Sequence, residues 1–210
     1  TTGVGEALWA IVDGSNNDVI MKIATTSTSG TGALITNSSF PSAGTGDLGW
    51  IEAPSSSISA MAYLAVDGSP YLWLFDENER NLYQVDATNG TVSQTYNLQN
   101  NWNFWGEMGG MTAKGTKLHM FAQYDNSVWV FDPASSDPIN EMEQIWPGCC
   151  SNEWGQDAIA YHSGTQRFFS AKNAGMTQWG QDFSAEPVEM TVKVDSSNLN
   201  DAKIKGITFN

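Results

Sequence analysis

Lys117-Leu118-His119-Met120-Phe121-Ala122-Gln123-Tyr124-Asp125-Asn126-Ser127-Val128-Trp129 returns fifty residues later as Arg167-Phe168-Phe169-Ser170-Ala171-Lys172-Asn173-Ala174-Gly175-Met176-Thr177-Gln178-Trp179. Each copy sets a polar turn between two short apolar runs. Trp129 falls on Trp179, and beyond it Asp132 falls on Asp182. Upstream, Trp105-Gly106-Glu107 falls on Trp154-Gly155-Gln156 at an offset of 49. Met61-Ala62-Tyr63 through Asp86 fits the same template, with Leu72 against Leu118 and Asp86 against Asp132. Leu8 through Ala24 fits as well, but lacks the first strand. Self-similarity at such a period marks a repeat architecture.

The repeated unit is made of strands. Apolar residues come in short alternating runs, among them Leu8-Trp9-Ala10-Ile11-Val12, Tyr71-Leu72-Trp73-Leu74-Phe75 and Val128-Trp129-Val130-Phe131. That spacing suits strands, and helix signals are nearly absent. Between the runs lie Asp67-Gly68, Asn89-Gly90, Lys114-Gly115, Asp125-Asn126, Ser163-Gly164 and Ala174-Gly175. Asn-Gly and Asp-Gly supply the positive backbone angles of two-residue hairpin turns.

Ile204-Lys205-Gly206-Ile207-Thr208-Phe209 matches the first strands of the other units, and Met61, Met111, Ile159 and Ile207 are spaced by 50, 48 and 48 residues. We therefore expect an all-β chain, a four-bladed β-propeller whose C-terminal strand completes its N-terminal blade. The blades are 203–210 with 1–40, then 57–98, 108–146 and 157–195. Closing the ring removes an exposed sheet edge, whereas a solenoid would need capping ends. Leu82-Tyr83-Gln84-Val85-Asp86-Ala87-Thr88-Asn89-Gly90-Thr91-Val92 resembles the Tyr-x-x-Asp-x-x-x-Gly-x-Val blade pattern of several propeller-repeat families. Enzymes and binding proteins share it, so the resemblance implies a fold and no task. The blade count is similar to that of hemopexin-type propellers, whose other sequence features this chain lacks.

The 210 residues are 11% aromatic, with nine Trp, and 15% charged, against about 25% charged in an ordinary soluble chain. There is enough apolar material to offset the entropy of ordering. No apolar run reaches the roughly 18 residues of a membrane span, so no membrane insertion is expected. A net charge of −14 repels phosphate backbones and anionic lipid, and nucleic acid is excluded as a partner on that ground. The chain begins with Thr1 and is read as a mature or excised piece. Its Ser-, Thr-, Asn- and Gly-rich linkers and scarce Lys suggest an extracellular, secreted protein, with Asn37 and Asn89 as formal glycosylation acceptors.

Trp73, Trp129 and Trp179 alternate within strands and are read as wedges between blades. Trp50, Trp102, Trp105, Trp146 and Trp154 fall in crossing segments beside amides and carboxylates. Rigid aromatics with a few polar groups make a binding surface. The expected ligand-binding set is Trp102, Trp105, Glu107, Trp154, Gln156 and Asp157. The adjacent Cys149 and Cys150 suit a vicinal disulfide in a turn, with free thiols or bridges to another chain as alternatives. Two thiols with no nearby His do not complete a zinc site. Glu107, Asp157 and Asp201 precede first strands and could hold a calcium ion in the central tunnel; otherwise no cofactor is expected. The loops 13–18 and 76–79 lack the Gly and Glu positions of an EF-hand and are read as solvated polar turns. His119 alternates with apolar neighbours and reads as an ordinary blade residue.

Catalytic patterns fail. There is no Gly-x-Ser-x-Gly elbow, and Gly44-x-Gly46-x-x-Gly49 leads into Trp50-Ile51-Glu52-Ala53-Pro54 rather than a helix. The expected function is a secreted, lectin-like, non-catalytic module that binds a glycan or small polar ligand on the crossing-loop face. The alternatives are an assembly subunit with a protein partner, and a glycoside hydrolase or lyase.

Overall fold

The computed structural model describes residues 7–12, 16–24, 33–34, 50–99, 108–122, 127–146, 158–172, 175–183 and 188–191. They form four four-stranded antiparallel sheets, with no helix among the described residues. The first sheet holds β1 (Ala7–Val12), β2 (Val19–Ala24), β3 (Ala33–Leu34) and β4 (Trp50–Glu52). The second runs β5 (Ile58–Val66), β6 (Ser69–Asp76), β7 (Asn81–Asp86) and β8 (Val92–Asn97). The third runs β9 (Met108–Lys114), β10 (Lys117–Ala122), β11 (Ser127–Phe131) and β12 (Glu143–Ile145). The fourth runs β13 (Ala158–His162), β14 (Arg167–Lys172), β15 (Gly175–Trp179) and β16 (Val188–Thr191).

In the last three sheets each strand pairs with its neighbour in sequence. One two-residue joint is at Asp67-Gly68, where Val66 faces Ser69 and both turn residues have positive φ, 50° and 78°. Two positive angles in succession make the turn whose twist matches that of the strands it joins. The first sheet departs from the meander. Both β3 and β4 lie along β2, with Ala24 opposite Ala33 and Ile20 opposite Ile51. Its fourth strand thus comes from beyond residue 40.

The core lies between sheets. On β6, Leu72 and Leu74 point to the first sheet, packing with Ile20 and Ile51. Trp73 and Phe75 point to the third, packing with Met120 and Phe131. Both faces of the strand are covered, which is why its apolar run is continuous rather than alternating. Between the third and fourth sheets, Phe121 and Val128 meet Phe168 and Trp179. The first strands also touch edge to edge. Tyr161 N donates to Thr112 Oγ1 at 3.1 Å, and a Cβ on Gly110 would stand 2.7 Å from Ile159 N. Only a glycine lets β9 approach β13 this closely.

The template holds for the second and third sheets and slips by two residues in the fourth: Leu118 faces Phe131, whereas Phe168 faces Trp179, so Trp179 stands where the third sheet has Phe131. Tyr83, Trp129 and Trp179 each pack toward the preceding sheet, and each stands three residues before an aspartate, Asp86, Asp132 or Asp182. Asp86 and Asp132 then organise the turn that leaves the strand: each accepts from the main-chain N–H two residues on, at 2.7 and 3.0 Å. The structure thus supports the all-β reading and four stacked antiparallel sheets. The strand expected to close the ring, Ile204–Phe209, lies outside the described residues, as do the turn at Asp125-Asn126 and residue Ala174.

Candidate functional site

Most of the expected site falls outside the described residues: Trp102, Trp105, Glu107, Cys149, Cys150, Trp154, Gln156, Asp157, Asp201 and Asn37. Asn89 is described and exposed, in the turn from β7 to β8. Its Nδ2 donates to Asp86 Oδ2 at 3.0 Å, and its Oδ1 accepts from Thr91 N at 2.9 Å and from Thr91 Oγ1 at 2.7 Å. The Asp86 carboxylate also accepts from the Thr88 hydroxyl at 2.6 Å. These bonds, that from Thr88 first, hold the Asp86 carboxyl below its ordinary range.

The two loops read as solvated polar turns each contain a buried aspartate. Asp76 is 1% exposed, and its Oδ1 accepts from Asn78 N at 2.9 Å and Glu79 N at 3.0 Å. Asp18 is likewise buried and joins two sheets: its Oδ2 accepts from Ile58 N at 2.9 Å, and its carbonyl accepts from Ala53 N at 2.7 Å. Asp18 satisfies a buried main-chain donor forty residues on, and Asp76 holds the turn that leaves β6, roles local sequence polarity does not reveal. Among the described residues, no group of three or more His, Cys, Asp or Glu is placed to hold a metal ion.

Where the third sheet meets the fourth, Lys114 Nζ donates to Gln181 O at 2.6 Å and lies 5.6 Å from the Tyr161 ring centre and 5.3 Å from that of Phe168. His119 is buried against Phe168, ring centres 5.0 Å apart. Its Nδ1 has no hydrogen-bond partner among the described residues. Burial, and after it the Lys114 charge, lowers its pKa from 6.5 to about 4. The ring is therefore neutral at pH 7.

Three of the strand tryptophans are interior, while Trp9 on β1 is half-buried. Trp73, Trp129 and Trp179 are at most 3% exposed. Trp73 Nε1 donates to Leu64 O at 3.3 Å and Trp179 Nε1 to Ser170 Oγ at 2.8 Å. Trp146 is the contrast. It directly follows β12, leads into the segment that crosses to the fourth sheet, and is 60% exposed.

The sequence matches no protein-family model and no curated protein. Solved structures of similar fold do exist. One is the Polycomb repressive complex 2 of Chaetomium thermophilum, at 13% identity and TM-score 0.52 over 86% of this chain and 34% of that one. The same complex in its autoinhibited apo state gives 12% and 0.53 over 100% and 44%. Saccharomyces cerevisiae Sqt1 gives 6% and 0.50 over 97% and 50%. This chain spans between a third and a half of the chains it matches, and at such identities the likeness is one of fold. These neighbours are WD40-type, which agrees with a β-propeller.

The comparison overturns two expectations, those of a secreted glycan-binding module and of an extracellular location. The neighbours are intracellular proteins rather than secreted lectin-like modules. Trp73, Trp129 and Trp179, read as wedges, do fill the space between sheets, whereas Trp102, Trp105 and Trp154, which suggested sugar stacking, lie outside the described residues and Trp50 falls in β4.

Proposed function

We propose that the chain is a protein-interaction module, a WD40-type stack of sheets that presents its crossing segments to another protein. The carrying observation is Trp146, 60% exposed at the mouth of a crossing segment while Trp73, Trp129 and Trp179 are buried. A large aromatic held at the end of a strand offers broad contact area at low entropic cost, and Trp is enriched among the residues that dominate interface energies. The fold is shared with proteins solved as parts of a multi-protein complex, which supports the reading. Completion of the first sheet by Ile204–Phe209 belongs to the same proposal, because it would fix the crossing segments in one ring.

The test is quantitative affinity purification of the tagged chain from its own cells, with Trp146→Ala beside it. A partner recovered in stoichiometric amount should be depleted about thirtyfold in the variant, the equivalent of roughly 2 kcal/mol for a dominant contact. The melting temperature should not change, because the side chain is exposed. Equal recovery of the same partners by both chains would overturn the reading.

A further inference from the structure

β8 is the outermost strand of the second sheet among the described residues. Main-chain groups of successive strand residues point alternately to the two sides. Leu98 N donates to Arg80 O at 2.9 Å, toward β7, so Tyr96 and Gln94 also turn to β7, and Asn97 and Thr95 turn outward. Their N–H and C=O groups face away from the sheet. The strand is firmly seated, because the Tyr96 ring packs 5.0 Å from Phe131 and 5.9 Å from Trp73.

The other outer strands are short or charged. β3 has two residues, β12 has three and carries Glu143, and β16 carries Glu189. β8 has six, Val92-Ser93-Gln94-Thr95-Tyr96-Asn97, with neither charge nor proline. It lies in the long stretch Ala87 to Gly106, which contains no Asp, Glu, Lys, Arg or His in a chain of net charge −14. Exposed strand edges are ordinarily blunted by charge, proline, brevity or a bulge; β8 has none of the first three, and its one bulge, at Ser93, lies near its start and leaves Gln94 to Asn97 in regular pairing with β7.

We infer that β8 is a self-association edge, on which a second copy of the chain pairs β8 to β8, antiparallel, about a two-fold axis at Thr95. That register sets Thr95 against Thr95, an uncharged pair able to hydrogen-bond across the strands. The contact closes on itself and stops at two copies. A second copy is the fitting occupant because the edge has no charge for an acidic or basic segment to complement. Another β8 meets it without placing an ion at the joint. The copies repel each other at long range through their net charge, and salt screens that repulsion without weakening the neutral joint. Association therefore strengthens as ionic strength rises, opposite to a joint held by ion pairs.

Sedimentation equilibrium of the purified chain, over a concentration series in low and high salt, reads this directly. The weight-average mass should rise from 22.8 kDa toward twice that value, and at lower concentration in high salt. Thr95→Pro removes only an outward N–H and leaves the β7 ladder intact. Thr95→Lys places like charges on the axis and serves if the proline variant does not fold. Each should weaken the dimer about tenfold or more, at a cost of roughly 1.4 kcal/mol or above. A wild-type chain that stays at the monomer mass throughout overturns the inference. So does a dimer that persists unchanged in the folded variants.

Discussion

His119 occupies the position where the second sheet has Trp73 and the fourth has Phe169, and it is the one titratable residue of the three. Its folded pKa of about 4 lies below the ordinary value of 6.5. Protonation therefore favours the unfolded chain. The stability is complete above pH 6.5 and is lost as pH falls toward 4. The loss should be about 2 kcal/mol by pH 5 and about 3 kcal/mol at pH 4. Urea unfolding of wild type and His119→Phe at pH 7 and pH 5 isolates this part from the carboxylates, and the variant should lose less stability on acidification by about that amount. Equal pH slopes would remove His119 as the cause. The sequence shows that His119 alternates with apolar neighbours. It does not show what sets the pKa, because Phe168 lies 49 residues away on the next sheet and Lys114 on the adjacent strand.

At the scale of elements, strands and hairpins were the most legible feature, because alternation and turn residues act over a few positions. Asp67-Gly68 demanded its turn from sequence alone. The sequence was least informative where a local pattern serves a distant partner. Asp18 sits in a run that looks solvated, yet it caps Ile58 N forty residues on. Likewise the template shows Met111 as part of a first strand but not that the preceding glycine admits another strand. Gly110→Ala would press a methyl group against Ile159 N at 2.7 Å and Ala158 Cα at 3.0 Å, both main chain. Overpacking that only backbone movement relieves costs about 1–3 kcal/mol. A drop of that size in urea-derived stability is expected, and an unchanged midpoint would show that the strands part without strain.

For the whole molecule, stacked all-β sheets were readable from the fifty-residue period, and the task was not. The period reports a repeated packing problem, whereas composition cannot tell a tryptophan that fills a sheet interface from one that awaits a ligand. The crossing segments that hold most of the expected site repeat only as Trp-Gly pairs and have no strand alternation to anchor a reading. Ring closure remains a proposal, and deletion of residues 203–210 tests it. If the last strand completes the first sheet, the truncated chain loses that inner edge partner and should melt several degrees lower and less cooperatively. A melt identical to that of the full chain would refute closure.

The two covered faces of β6 bear on the order in which the chain acquires structure. Hairpins between sequence neighbours close short loops and form early at little entropic cost. Yet a second sheet folded by itself would leave Leu72 and Leu74 in water on one side and Trp73 and Phe75 on the other. It becomes durable only when a neighbouring sheet arrives. During synthesis the second sheet's hairpins can form as soon as Asn97 is available, but the face that holds Trp73 stays wet until Phe131 has emerged. Nascent chains halted between these two residues present the Trp73 face to solvent, so this is an interval in which a chaperone has an aromatic surface to cover.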